Sequence, residues 1–322
     1  MSTAVVSYVV NGGPRPVSAA SAERVRRAIE ELQYRPHRVA SALARGSTRT
    51  YGFLVPDISN PFFATLGHAV EDRFSAAGMV TLLGDSAESA EREEQLLHAF
   101  AENRVEGILY VSTDGHNRSA VLRASGVPVV VLDRAQDSEG SSVSIDNESA
   151  AFDITTHLVN HGIDNVGIVR GPAGLSTADS RYEGWRRALE AGGIAPRPEW
   201  QIVAPYSRAG GYAASQELLA GSARPRGLLA SNEQQAIGVL RYANEHGINI
   251  PEDLAVVTID GTSDSEYSNP SLSTVIQPVR EIARQAVDIL IKNKSAASIE
   301  VTCIYDIAFR ESCGCGPDTT KP

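Results

Sequence analysis

The sequence predicts an α/β protein made of two similar units, each a parallel sheet covered by helices on both faces, behind a small helical N-terminal segment. Three observations carry that expectation. From Tyr51 onward, short continuous apolar runs alternate with longer helical stretches, the pattern of strands buried on both faces. The alternation falls into two series of about 100 to 130 residues each, so the 322 residues divide into comparable units rather than one core. Finally, residues 1–50 hold eight arginines against three glutamates, a charge of +5, in a chain whose net charge is −10. A basic head on a body of −15 points the head toward a polyanion, although arginines that merely solvate two helices would look alike.

Each element follows in order. "STAVVSYVVNGG" (2–13) reads as a short amphipathic helix closed by an Asn-Gly stop. In "SAASAERVRRAIEELQY" (18–34), Val25, Ala28, Ile29 and Leu32 form one apolar stripe behind a serine cap. Pro36 breaks the chain, and "HRVASALARG" (37–46) is a second short helix ending at Gly46, too short to stand without a partner surface. The first α/β series runs "YGFLV", helix 61–77, "MVTLLG", helix 90–103, "GILYV", helix 118–125 and "VPVVVL". After "SVSIDN" the second runs helix 149–161, "NVGIV", helix 180–191, "QIVA", helix 209–220, "RGLLA", helix 234–246 and "LAVVTI". A helix over 279–293 and two strands near "IEVTCIY" and "DIAF" close the chain.

Composition excludes several classes. No apolar run is long enough to cross a bilayer, so no membrane partner is expected. The N-terminus shows no basic region followed by an apolar stretch, which makes the cytoplasm the expected compartment. Three cysteines make no disulfide framework. "SCGCGP" offers too few spaced ligands for a zinc site, with no histidine near it in sequence, and reads as a tail. No P-loop, G-x-G-x-x-G, G-x-S-x-G or H-E-x-x-H occurs, so neither an enzyme nor a cofactor is expected.

"SAERVRRAIEELQYRPHRVASALARGSTRTYGFLVPDISNPFF" resembles the junction of headpiece and core in LacI-type bacterial transcription regulators. The likeness continues through "IDNESAA", "GPAGLSTADSRYEGW", "ASNEQQAIGVLR", "IPEDLAVVTID" and "NPSLSTVIQP", in order and over nearly the whole chain. It implies a helix-turn-helix headpiece, a hinge helix, and a core of two periplasmic-binding-protein-like subdomains that hold a small effector between them. It also implies a homodimer on palindromic operator DNA. The boundaries expected are 1–35 for a partial headpiece, 36–49 for hinge and linker, 50–147 for the N-subdomain and 148–277 for the C-subdomain. Residues 278–311 would return to the N-subdomain with the closing strands, and 312–322 would be the tail.

Under that resemblance, 2–13 is the recognition helix. Val6, Val9 and Val10 would pack inward, while Thr3, Ala4 and Tyr8 match base-reading positions, with Ser7 and Asn11 completing the DNA set. Tyr8 stands where many relatives carry arginine, which removes a bidentate guanine contact. The family has a helix of about ten residues, of the pattern IKDVAxxAGV, ahead of this one; here it is expected to lie outside the chain, behind a start assigned too late. "RVASALARG" matches the hinge helix: Leu43 would wedge between base pairs, Val39 and Ala42 would meet the partner's hinge, and Arg38, Arg45 and Arg49 would reach phosphates.

The effector site is expected at the strand C-termini between the subdomains. Its candidates are Asn60, Phe62, Phe63, Asp85, Asp133 beside Arg134, Asp146 beside Asn147, Arg181, Tyr206, Asn232 and Asp260, with Gln277 a lesser one. Planar polar groups around an aromatic face suit a polyhydroxylated, sugar-like ligand. Thr258, Gly261 and Glu233 depart from common family residues, and Leu175 stands where purine-responsive members carry arginine. A ligand-responsive repressor and a sugar sensor that has lost DNA binding both fit the sequence. A periplasmic receptor is disfavoured by the hinge-like segment.

Overall fold

A computed structural model gives the architecture of residues 15–33, 47–116, 126–134, 140–220, 224–292 and 298–316, together with Val5, Val6, Tyr8, Val9, Arg118, Leu122 and Ala124. The assignments to Thr3, Ala4, Ser7, Val10 and Asn11, and to the hinge residues Arg38, Val39, Ala42, Leu43 and Arg45, lie outside the described residues. Val5, Val6, Tyr8 and Val9 are helical and half-buried.

Helix α1 (Ala19–Glu31) starts where Ser18 accepts from the Ser21 amide, and only Val25 of its apolar stripe is buried. Arg24, Arg26 and Arg27 stand exposed on it. The segment that follows is tied to the body by one carboxylate. Glu106 accepts from the Ser47 hydroxyl at 2.5 Å, the Arg49 amide at 2.8 Å and the Tyr51 phenol at 3.4 Å. These donors hold Glu106 below the usual carboxylate range despite the opposing cost of its burial.

The first sheet contains β1 (Thr50–Val55), β2 (Val80–Asp85), β3 (Ile108–Tyr110), β4 (Val129–Leu132) and β5 (Ser141–Ile145), joined at its edge by a late strand, Glu300–Cys303. Its order is 300–303, β5, β4, β3, β1, β2, and every pairing is parallel. The inner strands β1, β3 and β4 are covered on both faces, which is why they read as unbroken apolar runs, while the edge strand β2 leaves Val80 and Leu83 exposed. Phe53, Val55 and Leu109 face α2 (Pro61–Ala76) and a late helix, Val279–Lys292. Leu54, Ile108 and Tyr110 face Leu97 and Phe100 of α3 (Ala90–Glu102), with Leu122.

The second sheet contains β6 (Val166–Arg170), β7 (Gln201–Val203), β8 (Gly227–Ala230), β9 (Ala255–Asp260) and β10 (Ser273–Ile276). Around it lie α4 (Asn147–Asn160), α5 (Ser176–Ala191), α6 (Arg208–Leu218), α7 (Glu233–Glu245) and the short α8 (Ser263–Tyr267). The late helix 279–292 is α9, the late strand 300–303 is β11, and β12 (Asp306–Ala308) follows. β12 pairs antiparallel with β10, while all other pairs of this sheet are parallel. Helices α4 and α5 cross at Gly184, where a Cβ would lie 2.1 Å from the Glu148 carbonyl oxygen; only glycine allows this approach.

Two expected boundaries shift. Residues 278–311 do not all return to the first subdomain: α9 and β11 do, but Asp306 to Ala308 join the second sheet. Residues 312–316 are not a loose tail. Ser312 is buried, its hydroxyl donating to the Val256 carbonyl at 2.6 Å and accepting from the Ser273 amide at 2.8 Å. Among the described residues the chain therefore crosses between subdomains three times, after β5, after β10 and after β11. Among the described residues no helix is long and apolar enough to cross a membrane.

Candidate functional site

Parallel strands bring every crossover, and the loops after β1, β3, β4, β6, β8 and β9, to one end of each sheet, so the two sheets share a common seam. At the centre of that seam is Arg181, on the second turn of α5 and only 3% exposed. Its Nε donates to Asn147 Oδ1 at 2.8 Å and its Nη1 to the Ser231 carbonyl at 2.7 Å. Its Nη2 lies 3.8 Å from Asp260 Oδ1, an ion pair without a hydrogen bond. The Tyr206 ring is 6.0 Å from the guanidinium carbon.

Asp260 ends β9 at φ +130, a conformation a non-glycine residue holds only where its surroundings impose it. Gln277, just after β10, donates to its Oδ1 at 3.0 Å. Burial pushes the Asp260 carboxyl up to about 7, with Glu233 and Asp133 adding repulsion and Arg181 and Gln277 opposing it. Asp133 ends β4 at φ +57, and its Oδ1 is buried with no hydrogen-bond partner. Its charge adds to the raising of both the Asp260 carboxyl and the Tyr206 phenol, groups of the other subdomain.

Arg134 is anchored, its Nη1 donating to the carbonyls of Ser112 at 2.9 Å and Thr113 at 2.7 Å, with Nη2 3.7 Å from Glu88. Its Nε is buried and has no partner, as are Ser231 Oγ and Gln234 Nε2. The guanidinium sits 5.8 Å from the ring of Phe63, which packs edge-on against Phe62. Tyr206 reaches its place over Gly171, where a Cβ would fall 2.2 Å from its ring. The phenol oxygen is buried beside Thr177 without a hydrogen bond of good geometry. Buried polar atoms without partners are few in folded proteins, because each costs about 1–3 kcal/mol. Asp133, Arg134, Tyr206, Ser231 and Gln234 each leave such an atom along this seam.

The seam brings together Arg181, Tyr206, Asp260 and Asp133 among the sequence candidates. Others serve the backbone. Asn60 caps α2, accepting from the Phe62 amide at 3.0 Å, and Asn232 caps α7, accepting from the Gln235 amide at 2.9 Å. Asp85 accepts from the Ala87 amide at 2.9 Å. Asp146 is exposed and caps α4, bonded to Ser149 through both its amide and hydroxyl; the neighbouring Asn147 is the one that meets Arg181. Phe62 and Phe63 are buried core. The sequence reading passed over Gln234, Ser231 and Gln235; the last fixes three strand-end carbonyls, of Arg170, Ala204 and Pro205, with a single amide nitrogen. Only the run of polar residues after "RGLLA" signalled them. Glu233, buried at the start of α7, accepts from the Thr262 amide at 2.9 Å and hydroxyl, and burial raises its carboxyl.

Comparison with known proteins agrees with this architecture. Residues 155–313 match the family described as periplasmic binding protein-like domain. The catabolite control protein A of Priestia megaterium is 32% identical over 320 residues, covering 97% of this chain and 96% of that protein. The solved lac repressor dimer bound to operator and an anti-inducer superposes with a TM-score of 0.85 at 25% identity, over 96% of this chain and 94% of that one. The transcriptional regulator CelR in complex with cellobiose gives 0.74 at 28% identity, over 95% and 94%.

Proposed function

Because the chain belongs to the LacI family of transcription regulators, we propose that it is a cytoplasmic homodimeric repressor whose operator affinity is set by a sugar-like effector held between its two subdomains. It is a regulator and not an enzyme. The observation that carries the effector class is the seam at Arg181. Two of its three nitrogens are fixed by Asn147 and Ser231, and the third is turned toward Asp260. A pair of neighbouring hydroxyls bridges such an arrangement, accepting from the guanidinium and donating to the carboxylate. Tyr206 supplies an apolar face, and Asp133 and Arg134 close the opposite wall. Leu175, buried at the start of α5, brings no donor to this region. That favours a carbohydrate over a purine.

Three chain crossings at the seam make relative rotation of the subdomains the coordinate a ligand acts on, since a group bound to both walls favours the closed arrangement. Glu106 ties residues 47–51 to the first subdomain, so movement of that subdomain is passed directly to the segment leading into the basic head. Family likeness assigns base reading to Thr3, Ala4, Ser7, Tyr8 and Asn11, and minor-groove contact to Arg38, Leu43 and Arg45.

The test is fluorescence anisotropy of labelled palindromic duplexes at two fixed salt concentrations, with and without mono- and disaccharides. Binding that weakens steeply with salt and changes with one sugar supports the reading. A sugar that stabilises the chain while no duplex binds would leave a sensor instead of a repressor. Absence of any sugar-induced thermal shift would remove the carbohydrate assignment.

A further inference from the structure

Far from the seam, at the other end of α4, two histidines and two cysteines converge. His157 and His161 lie one turn apart at the C-terminus of the helix, with ring centroids 4.3 Å apart. The chain returns to them about 150 residues later. The turn Glu311–Cys313 ends at Gly314, whose φ of +89 is one that glycine adopts freely, and Cys315 comes back to the same side as Cys313. His157 Nε2 is 3.2 Å from Cys313 Sγ and 3.3 Å from Cys315 Sγ, and His161 Nε2 is 3.5 Å from Cys315 Sγ. The donor atoms of His157, Cys313 and Cys315 all lie within 4.8 Å of one another.

We propose that His157, His161, Cys313 and Cys315 form a four-coordinate site for a thiolate-preferring divalent cation of the zinc class. Zinc bonds of about 2.3 Å to sulfur and 2.0–2.1 Å to nitrogen, at tetrahedral angles, place nitrogen and sulfur ligands about 3.5 Å apart. The three nitrogen–sulfur separations, 3.2, 3.3 and 3.5 Å, lie at or just below that value. Hydrogen bonding alone accounts poorly for them: one imidazole nitrogen offers a single donor or acceptor site, yet two sulfurs approach His157 Nε2. One central cation satisfies the contacts among His157, Cys313 and Cys315 together, and His161, 3.5 Å from Cys315 Sγ, joins them as the fourth ligand. Two thiolates and two imidazoles suit zinc, and exclude the oxygen-seeking magnesium and calcium.

Both halves of the site are held before any ion arrives. Phe309 stacks on the His157 ring at 3.9 Å, Ser312 is anchored to the second sheet, and the Cys313 thiol reaches the Arg310 carbonyl at 3.3 Å. The carbonyl end of α4 adds a favourable dipole for a cation. Coordination turns both thiols into thiolates and releases their two protons to solvent, leaving a site of zero net charge. Four protein ligands leave no open position, so the role is a staple that fixes residues 309–316 to α4.

The experiment uses the full chain, reduced and freed of metal by chelator, titrated with Co²⁺. One equivalent producing the intense visible bands of tetrahedral cobalt and a thiolate charge-transfer band, both abolished by Zn²⁺, is the result expected. Cys315→Ser and His161→Gln, at the more exposed positions, retain the wild-type circular dichroism. Each weakens Co²⁺ binding by more than the roughly 10- to 100-fold that loss of an outer-shell partner costs. A weak octahedral spectrum, or binding equal in wild type and Cys315→Ser, overturns the proposal.

Discussion

Replacing Asp260 with asparagine will change the pH dependence of stability in a calculable way. The wild-type carboxyl ionises near 4 in the unfolded chain but near 7 when folded, because burial disfavours its charge. Between those values the folded chain holds a proton that the unfolded chain has lost. Wild-type stability attributable to this group therefore falls as pH rises from about 4 through 7, and stays at its lower level above that. From pH 5.5 to 8.5 the loss amounts to about 2 kcal/mol. Asparagine keeps the shape and the capacity to accept from Gln277, but does not titrate. The counter-charge lost beside the guanidinium adds a constant offset without a slope. The stability of Asp260→Asn relative to wild type will thus rise by about 2 kcal/mol across that interval. Urea unfolding followed by tryptophan fluorescence at four pH values measures it. Using the difference cancels other titrating groups, including His157, whose ring burial lowers to about 4. A flat difference would show that Asp260 is not desolvated, and the picture of a dry seam would fail.

Arg181→Met removes the cation from a buried pair, costing about 3–5 kcal/mol at pH 8 and less at pH 6, where Asp260 takes up a proton; thermal melts at both values decide it. In the same variant, calorimetry will find the affinity for any sugar that binds wild type reduced at least about a hundredfold, as loss of a charged hydrogen-bond donor predicts. Gly171→Ala drives a methyl into the Tyr206 ring, destabilising by about 1–3 kcal/mol and weakening sugar binding, whereas Tyr206→Phe in the same assay keeps the ring and the stability. Glu106→Gln loosens residues 47–51 at a cost of about 1–3 kcal/mol. Because its folded pKa is lowered, the wild-type advantage is present at neutral pH and lost as pH falls through the carboxylate range. Sugar binding should survive this change while the sugar-dependent difference in duplex anisotropy shrinks.

Much of the fold was legible because buried parallel strands leave unmistakable runs such as "YGFLV" and "LAVVTI", and because helices start at capping residues such as Ser18 and Ser89. The site was legible to the level of the strand that carries each residue. It was not legible to the single position: Asp146 and Asn147 are neighbours at a helix start, and which one turns inward depends on the α4–α5 crossing at Gly184. Asn60 and Asn232 offered amides that local capping had already claimed. The surroundings of the C-terminal cysteines were not legible for another reason. Their histidine neighbours are about 150 residues away in sequence, and only the antiparallel return through β12 brings them together.

The interleaving of the two sheets also orders events during synthesis. The first five strands of the chain emerge early, but the face formed by Phe53, Val55 and Leu109 is sealed by Ile282, Ala286, Val287 and Leu290 of α9, and the edge beside β5 by β11. At about 5–20 residues per second, the ribosome needs roughly 7 to 30 s to pass from the end of β5 to the end of α9. The subdomain translated first therefore stays open until nearly the whole chain has been made. In that interval it shows the surface a chaperone would bind, while the later-translated subdomain is already gathering its own strands.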